Sequence, residues 1–168
     1  MKAQANQVTQ YTIAGTGNNL TLFLRENIEE TTNEYGDTVY NYDEYRLEIR
    51  DRLNLEQYIE TNFGALILKA KQAEIGQIKI NLEKAIDKHI DQVAAEKGYG
   101  RDGLSPSAAC LGYAAYQNEY QDEAVKFGEW IASLWPVVYR VMSEVEAGQR
   151  EVPTKENLIN ELPEMVWQ

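Results

Sequence analysis

Six residues, Gly98-Tyr99-Gly100-Arg101-Asp102-Gly103, match the G-x-G-x-x-G pattern letter for letter. That pattern holds a pyrophosphate only where it follows a strand and opens a helix, so that backbone amides meet the phosphates. Here the preceding segment has helical periodicity and no parallel β-α-β alternation surrounds it. It therefore reads as a turn between helices. His89 is the single histidine, and a histidine-based zinc site or a Ser-His-Asp triad would have to use it. One helical turn away stand Ala85 and Val93, neither of them a ligand, which makes His89 a surface or seam residue. Cys110 is the single cysteine and lies among Ala108, Ala109 and Leu111. A nucleophilic thiol needs an electropositive, accessible setting and a base. Only Arg101 is near in sequence, so Cys110 reads as a small packing residue. Asp43, Glu44, Glu48 and Asp51 offer carboxylates for metal or acid–base chemistry. Their spacing fits no calcium loop, and Arg46, Arg50 and Arg52 interleave with them, so a mixed-charge solvent face is expected. Asn19-Leu20-Thr21 is a glycosylation sequon that no signal core accompanies. The expectation is no catalytic residue, no cofactor and no metal.

The elements that carry these residues change character along the chain. In Leu20–Arg25 the leucines Leu20, Leu22 and Leu24 share one face. In Glu44–Arg50, Tyr45, Leu47 and Ile49 point one way and the charges the other. Period two with one polar face predicts half-buried strands. Gly15-Thr16-Gly17-Asn18-Asn19 and Asn33-Glu34-Tyr35-Gly36-Asp37 are turn chemistry. A small antiparallel meander is expected, with strands at about 8–13, 20–25, 27–32 and 38–50. Alone it would be marginal, so a helix should cover its apolar face. Asn54, with Gln57 as capping-box partner, predicts that helix start. Leu55, Tyr58, Ile59, Phe63, Leu66, Ile67 and Ala70 follow at helical spacing. Gly76 is expected to interrupt or kink the helix, and a second run covers about 77–97, with Ile78, Leu82, Ile86, Ile90 and Val93 on one side.

Ser105-Pro106 predicts an N-cap with proline at the first helical position, opening a short helix to about Tyr116. Asn118 with Gln121 restarts the chain into a helix over 119–147. Tyr120, Ala124, Phe127, Ile131, Leu134, Val138, Val141 and Val145 form a single 4-3 seam there. Pro136 is expected to kink this helix and Gly148 to stop it. Thr154 should cap a short helix to about Leu162, and the apolar Met165-Val166-Trp167 should dock. The fold class expected is α+β: an antiparallel sheet region over 1–53, connecting helices over 54–97, and a C-terminal helical hairpin or bundle over 98–168. The seam would close on its own neighbours or on another copy of the chain, and the second case makes a homo-oligomer.

The 168 residues suit one compact domain or two small ones. No run of about 18 apolar residues predicts a membrane span, and the polar Met1–Gln10 lacks a signal core. A single cysteine excludes an internal disulfide and fits a reducing compartment. Sixteen basic against 27 acidic side chains leave a net charge of −11. Nucleic acid and anionic membranes are thereby disfavoured as partners. The eleven tyrosines and three tryptophans are the more informative excess, since both types serve as interface anchors and as core. Tyr35, Tyr40, Tyr42 and Tyr45 crowd one hairpin. Tyr113, Tyr116, Tyr120, Trp130, Trp135 and Tyr139 line the C-terminal helices and suit a core.

A longer pattern joins these aromatics. It runs Gly98-Tyr99-Gly100, Leu104-Ser105, Ala108-Ala109-Cys110, Gly112-Tyr113, Glu123-Ala124, Phe127, Trp130, Trp135, Tyr139, Val145, Ala147-Gly148-Gln149-Arg150, Pro153-Thr154, Leu162-Pro163 and Trp167. Over about 85–167, half of the chain, it resembles a C-terminal module of tailed-phage and prophage tail-cluster proteins described as tail fibre assembly or tail-associated proteins. The N-terminal half resembles tail-cluster proteins of phages of Gram-positive hosts, through Tyr42-Asp43-Glu44-Tyr45-Arg46-Leu47 and Leu55-Glu56-Gln57-Tyr58-Ile59-Glu60 with Asn62-Phe63. The chain departs from the pattern at Trp135-Pro136. The resemblance implies a non-enzymatic, chaperone-like protein of the virion tail programme. It would act in the host cytoplasm on a tail fibre or receptor-binding protein; the alternative is a structural component of tail or baseplate. Tyr40, Tyr42 and Trp167 are the candidate protein interface.

Overall fold

The computed structural model describes residues 2–5, 8–100 and 103–167. The fold is α+β. Strands β1 (Lys2–Ala5), β2 (Tyr11–Ala14), β3 (Asn19–Thr32) and β4 (Thr38–Arg50) precede helices α1 (Leu55–Glu96), α2 (Pro106–Gly112), α3 (Gln121–Glu146) and α4 (Lys155–Asn160), with a 3-10 turn at Tyr113–Ala115. The chain divides into two compact units, Met1–Gln77 and Ile78–Gln168.

In the first unit the four strands form one antiparallel sheet in the order β1-β4-β3-β2. Strand β1 was not foreseen; it places itself beside β4, so only β2-β3-β4 is a meander. The stretches expected as separate strands at 20–25 and 27–32 are one strand, β3. The register shifts between Glu26 and Glu29, and Asn27 takes φ 52°, a left-handed conformation that asparagine tolerates. Such a bulge bends a strand without ending it and swaps which side chains face which way beyond it. Before the bulge, Leu20, Leu22 and Leu24 pair laterally with Ile49, Leu47 and Tyr45. Together they form the apolar face, and Ile59, Leu66, Ile67 and Ala70 of α1 complete that core.

Helix α1 corrects two expectations. It is continuous through Gly76, which faces open space. One glycine costs a helix interior only about 1 kcal/mol, too little by itself to end the helix, even though no residue between Ala70 and Leu82 is buried. Asn54 sits at φ 56°, outside the extended region that a side-chain N-cap occupies. It enters the helix through its carbonyl, which accepts from the Tyr58 amide at 3.0 Å.

In the second unit, Leu82, Ile86, Ile90 and Ala94 of α1 share one core with Ala124, Phe127, Trp130, Leu134, Val138, Val141 and Met142 of α3 and Leu158 of α4. The 4-3 seam thus closes on its own chain over most of its length, although Tyr120 at its start is exposed. Ser105 and Thr154 cap α2 and α4 by accepting from Ala108 and Asn157 amides. Asn118 instead binds the Tyr120 amide and the Tyr113 and Tyr116 carbonyls, and α3 begins at Gln121. It runs as one helix with Pro136 inside. Gly148, at φ 67°, ends it: its amide reaches Val145 and that of Gln149 reaches Glu144, the paired bonds of a Schellman stop.

Candidate functional site

Gly98 is explained by the same local chemistry. At φ 101° it closes α1, its amide on Ala95 and the Tyr99 amide on Ala94, which is again a Schellman stop. The glycine at the head of the G-x-G-x-x-G match therefore ends a helix where a phosphate loop would open one. Arg101 and Asp102 lie outside the described residues.

The other chemistry-bearing residues are placed as follows. His89 is half-buried, its ring edge-on to Trp130 at 5.9 Å. Burial lowers its pKa, with Glu96 acting the other way. Asp91 accepts from the Ser107 amide at 3.1 Å and its hydroxyl at 2.5 Å. Those bonds lower its pKa and tie α1 to the start of α2. Cys110 is fully buried, and burial pushes its thiol up to about 11. Of the acidic group, Asp43 accepts from Asn27, Glu44 pairs with Arg25 at 2.8 Å, and Glu48 takes Thr21 and Arg46. Among the described residues no three His, Cys, Asp or Glu side chains converge as a metal site.

The hairpin tyrosines separate by strand parity. Tyr45 joins the helix-covered face, where the Lys71 ammonium lies 5.0 Å from its ring centre. Tyr35 is exposed at the tip. Tyr40 and Tyr42 point to the opposite face, on the side of Glu44 and Arg46. There the Arg25 guanidinium sits 5.3 Å above the Tyr42 ring and donates to Glu44 and to the Thr9 carbonyl. Residues Val8, Thr9 and Gln10, leading into β2, wall a groove of about 770 Å³ with Arg25, Ile28, Tyr40 and Tyr42. Ile28 enters it because it follows the bulge at Asn27. Tyr42 is only 8% exposed; Tyr40 is the half-buried aromatic of the groove. Beside it, β2 pairs β3 only over Thr21–Leu24, so among the described residues the edge at Glu29–Thr32 carries no strand.

Trp167 lies in the second unit, stacked on Phe127 and tilted against Tyr99. Trp130 donates its indole N–H to the Pro163 carbonyl at 2.7 Å. The tail docks as expected, and it walls a cleft of about 600 Å³ with His89, Glu96, Lys97 and Glu164. Of the C-terminal aromatics, Trp130 is core, while Tyr116, Tyr120 and Tyr139 are exposed. The sequence reading missed the contributions of Arg25 and Ile28 to the groove. The bulge that brings Ile28 to it has no signature beyond an asparagine within a β pattern.

No family model, curated protein or solved structure matches the chain.

Proposed function

We propose that the chain is a non-enzymatic assembly protein of a phage tail, holding a tail fibre or receptor-binding protein in the host cytoplasm until that client closes. The observation that carries this reading is the groove of Tyr40, Tyr42, Ile28 and Arg25 beside an open strand edge at Glu29–Thr32. A fibre before trimerisation exposes unpaired strands and apolar side chains. A strand edge next to an aromatic-lined groove suits both, main-chain bonds giving affinity and pockets giving specificity. The resemblance of the C-terminal half to tail fibre assembly proteins supplies the client class.

Co-expression with the neighbouring fibre gene tests the reading. Soluble trimeric fibre should appear only with the chain present, and Tyr40→Ala should lower the yield while leaving the chain folded. Fibre yield unchanged by the chain would overturn the chaperone reading and favour a resident component of tail or baseplate.

A further inference from the structure

The chain carries a net charge of −11, yet one cavity of its second unit reverses that sign. Lys84 and Lys88 of α1 and Lys155 of α4 line a space of about 370 Å³, with Glu156 as the single acidic residue in its wall. The three lysines are exposed, and none forms an ion pair with a described residue. This cavity adjoins the cleft of about 600 Å³ under the tail, since His89 and Ile159 line both. We propose that the two spaces form one binding site for a small aromatic phosphate. Its phosphate lies among Lys84, Lys88 and Lys155, and its ring lies in the cleft of Val93, Trp130, Met165 and Trp167.

Charge is ordered along α1 in a way that gives such a ligand a direction. Lys84 and Lys88 precede His89, and Glu96 follows it, about 18 Å from Lys84 along the helix axis. Glu96 and Glu164 both line the cleft. An anion is thus attracted at the lysine end and repelled at the other. Two further charges leave this order intact. Lys97, at the far end, is already matched by Glu123 at 2.9 Å, and Asp91, three residues beyond Lys88, is tied to Ser107. His89 stands where the two spaces join. It is half-buried and hydrogen-bonds to no described residue. Burial lowers its pKa, so at neutral pH the ring is uncharged and has one N–H to give a phosphate oxygen.

Three ammonium groups suit a dianionic phosphate better than a singly charged carboxylate, because each added charge multiplies the attraction. The wall beyond His89 is aromatic and soft. Trp130 and Trp167 offer ring surface, and the Met165 thioether packs well against the edge of a ring. The volume of the two spaces together is ordinary for a small-ligand site. The whole site lies in the second unit and stands apart from the groove that carries the proposed function.

Isothermal titration calorimetry of the full chain with phenyl phosphate tests the site, with inorganic phosphate and phenol as the two partial ligands. Phenyl phosphate should bind saturably, and about tenfold tighter than either part. Lys88→Gln and Lys155→Gln, at exposed positions, should each weaken it about tenfold and reduce its sensitivity to salt. Glu164→Gln, at the opposite end, removes a repelling charge and should not weaken it. Circular dichroism checks that each variant is folded. Absence of saturable heat with phenyl phosphate would overturn the site. So would inorganic phosphate binding as tightly as phenyl phosphate, or an affinity that neither lysine replacement moves.

Discussion

Trp167 lies nearly flat on Phe127, ring centroids 5.4 Å apart and planes 13° apart. Phe127 is fully buried in α3, so the stack clamps the end of the chain onto the centre of the second unit's core. The Lys97 ammonium, 5.4 Å from the Trp167 ring centre, and Tyr99 complete the setting. Offset stacking adds a modest increment to the burial of so large a ring.

Trp167→Ala should therefore destabilise the second unit by about 2–3 kcal/mol, below the full Trp→Ala range because the ring is only half-buried. Urea denaturation followed by circular dichroism reads the loss. It also separates the two candidate interface positions: Trp167→Ala should lower stability, whereas Tyr40→Ala, half-buried on the outer sheet face, should cost under about 1 kcal/mol. Equal losses at both positions would contradict the placement of Trp167.

Two glycines should respond in opposite directions to alanine. Gly76 is inside α1 with open space around its Cβ position, so Gly76→Ala should stabilise the chain by about 0.5–1 kcal/mol. Gly98 also faces open space but holds φ 101°, a conformation that costs an L side chain about 1–2 kcal/mol. Gly98→Ala should destabilise accordingly. Thermal melts of the two variants check both signs; a destabilising Gly76→Ala would argue against a continuous α1.

These glycines mark what the sequence can convey. Apolar spacing placed Leu55 to Ala70 and Leu82 to Ile90 on the correct faces, because burial acts on every turn of the pattern. Ser105, Thr154 and Gly148 were legible because capping is local chemistry. The fate of Gly76 was not, since a glycine's propensity penalty is the same whether a helix ends at it or continues through it. The bulge at Asn27 was equally hidden. It depends on how fourteen residues of β3 match thirteen of β4, a non-local relation. The groove followed the same rule: Tyr40 and Tyr42 were visible as a pair, but Arg25 and Ile28 reach them only through register.

Cys110 should be silent in the folded chain. A buried thiol pushed up to about 11 leaves roughly one thiolate in ten thousand at pH 7 and about one in a thousand at pH 8. Ellman's reagent should therefore find no reactive thiol until denaturant is added, and then one per chain. Immediate reaction in native buffer would show that the site opens.

Two carboxylate and imidazole environments predict different acid sensitivities. Burial holds the His89 pKa below its ordinary 6.5. As pH falls through 6.5 the unfolded chain binds the proton first, so stability declines from there until the folded value is passed. His89→Gln should flatten this part of the curve. Glu123 behaves oppositely: Lys97 at 2.9 Å and the Tyr99 hydroxyl at 3.0 Å hold its pKa below the ordinary 4.5. Its contribution is full above 4.5 and is lost as pH falls through the lower folded value. Glu123→Gln can still accept from Tyr99 but loses the charge that faces Lys97. The variant should be less stable than the parent at neutral pH, and the gap should close only below 4.5. Urea denaturation at a series of pH values separates the two windows. A His89→Gln curve parallel to the parent's between neutrality and the carboxylate range would refute the burial of an uncharged imidazole against Trp130.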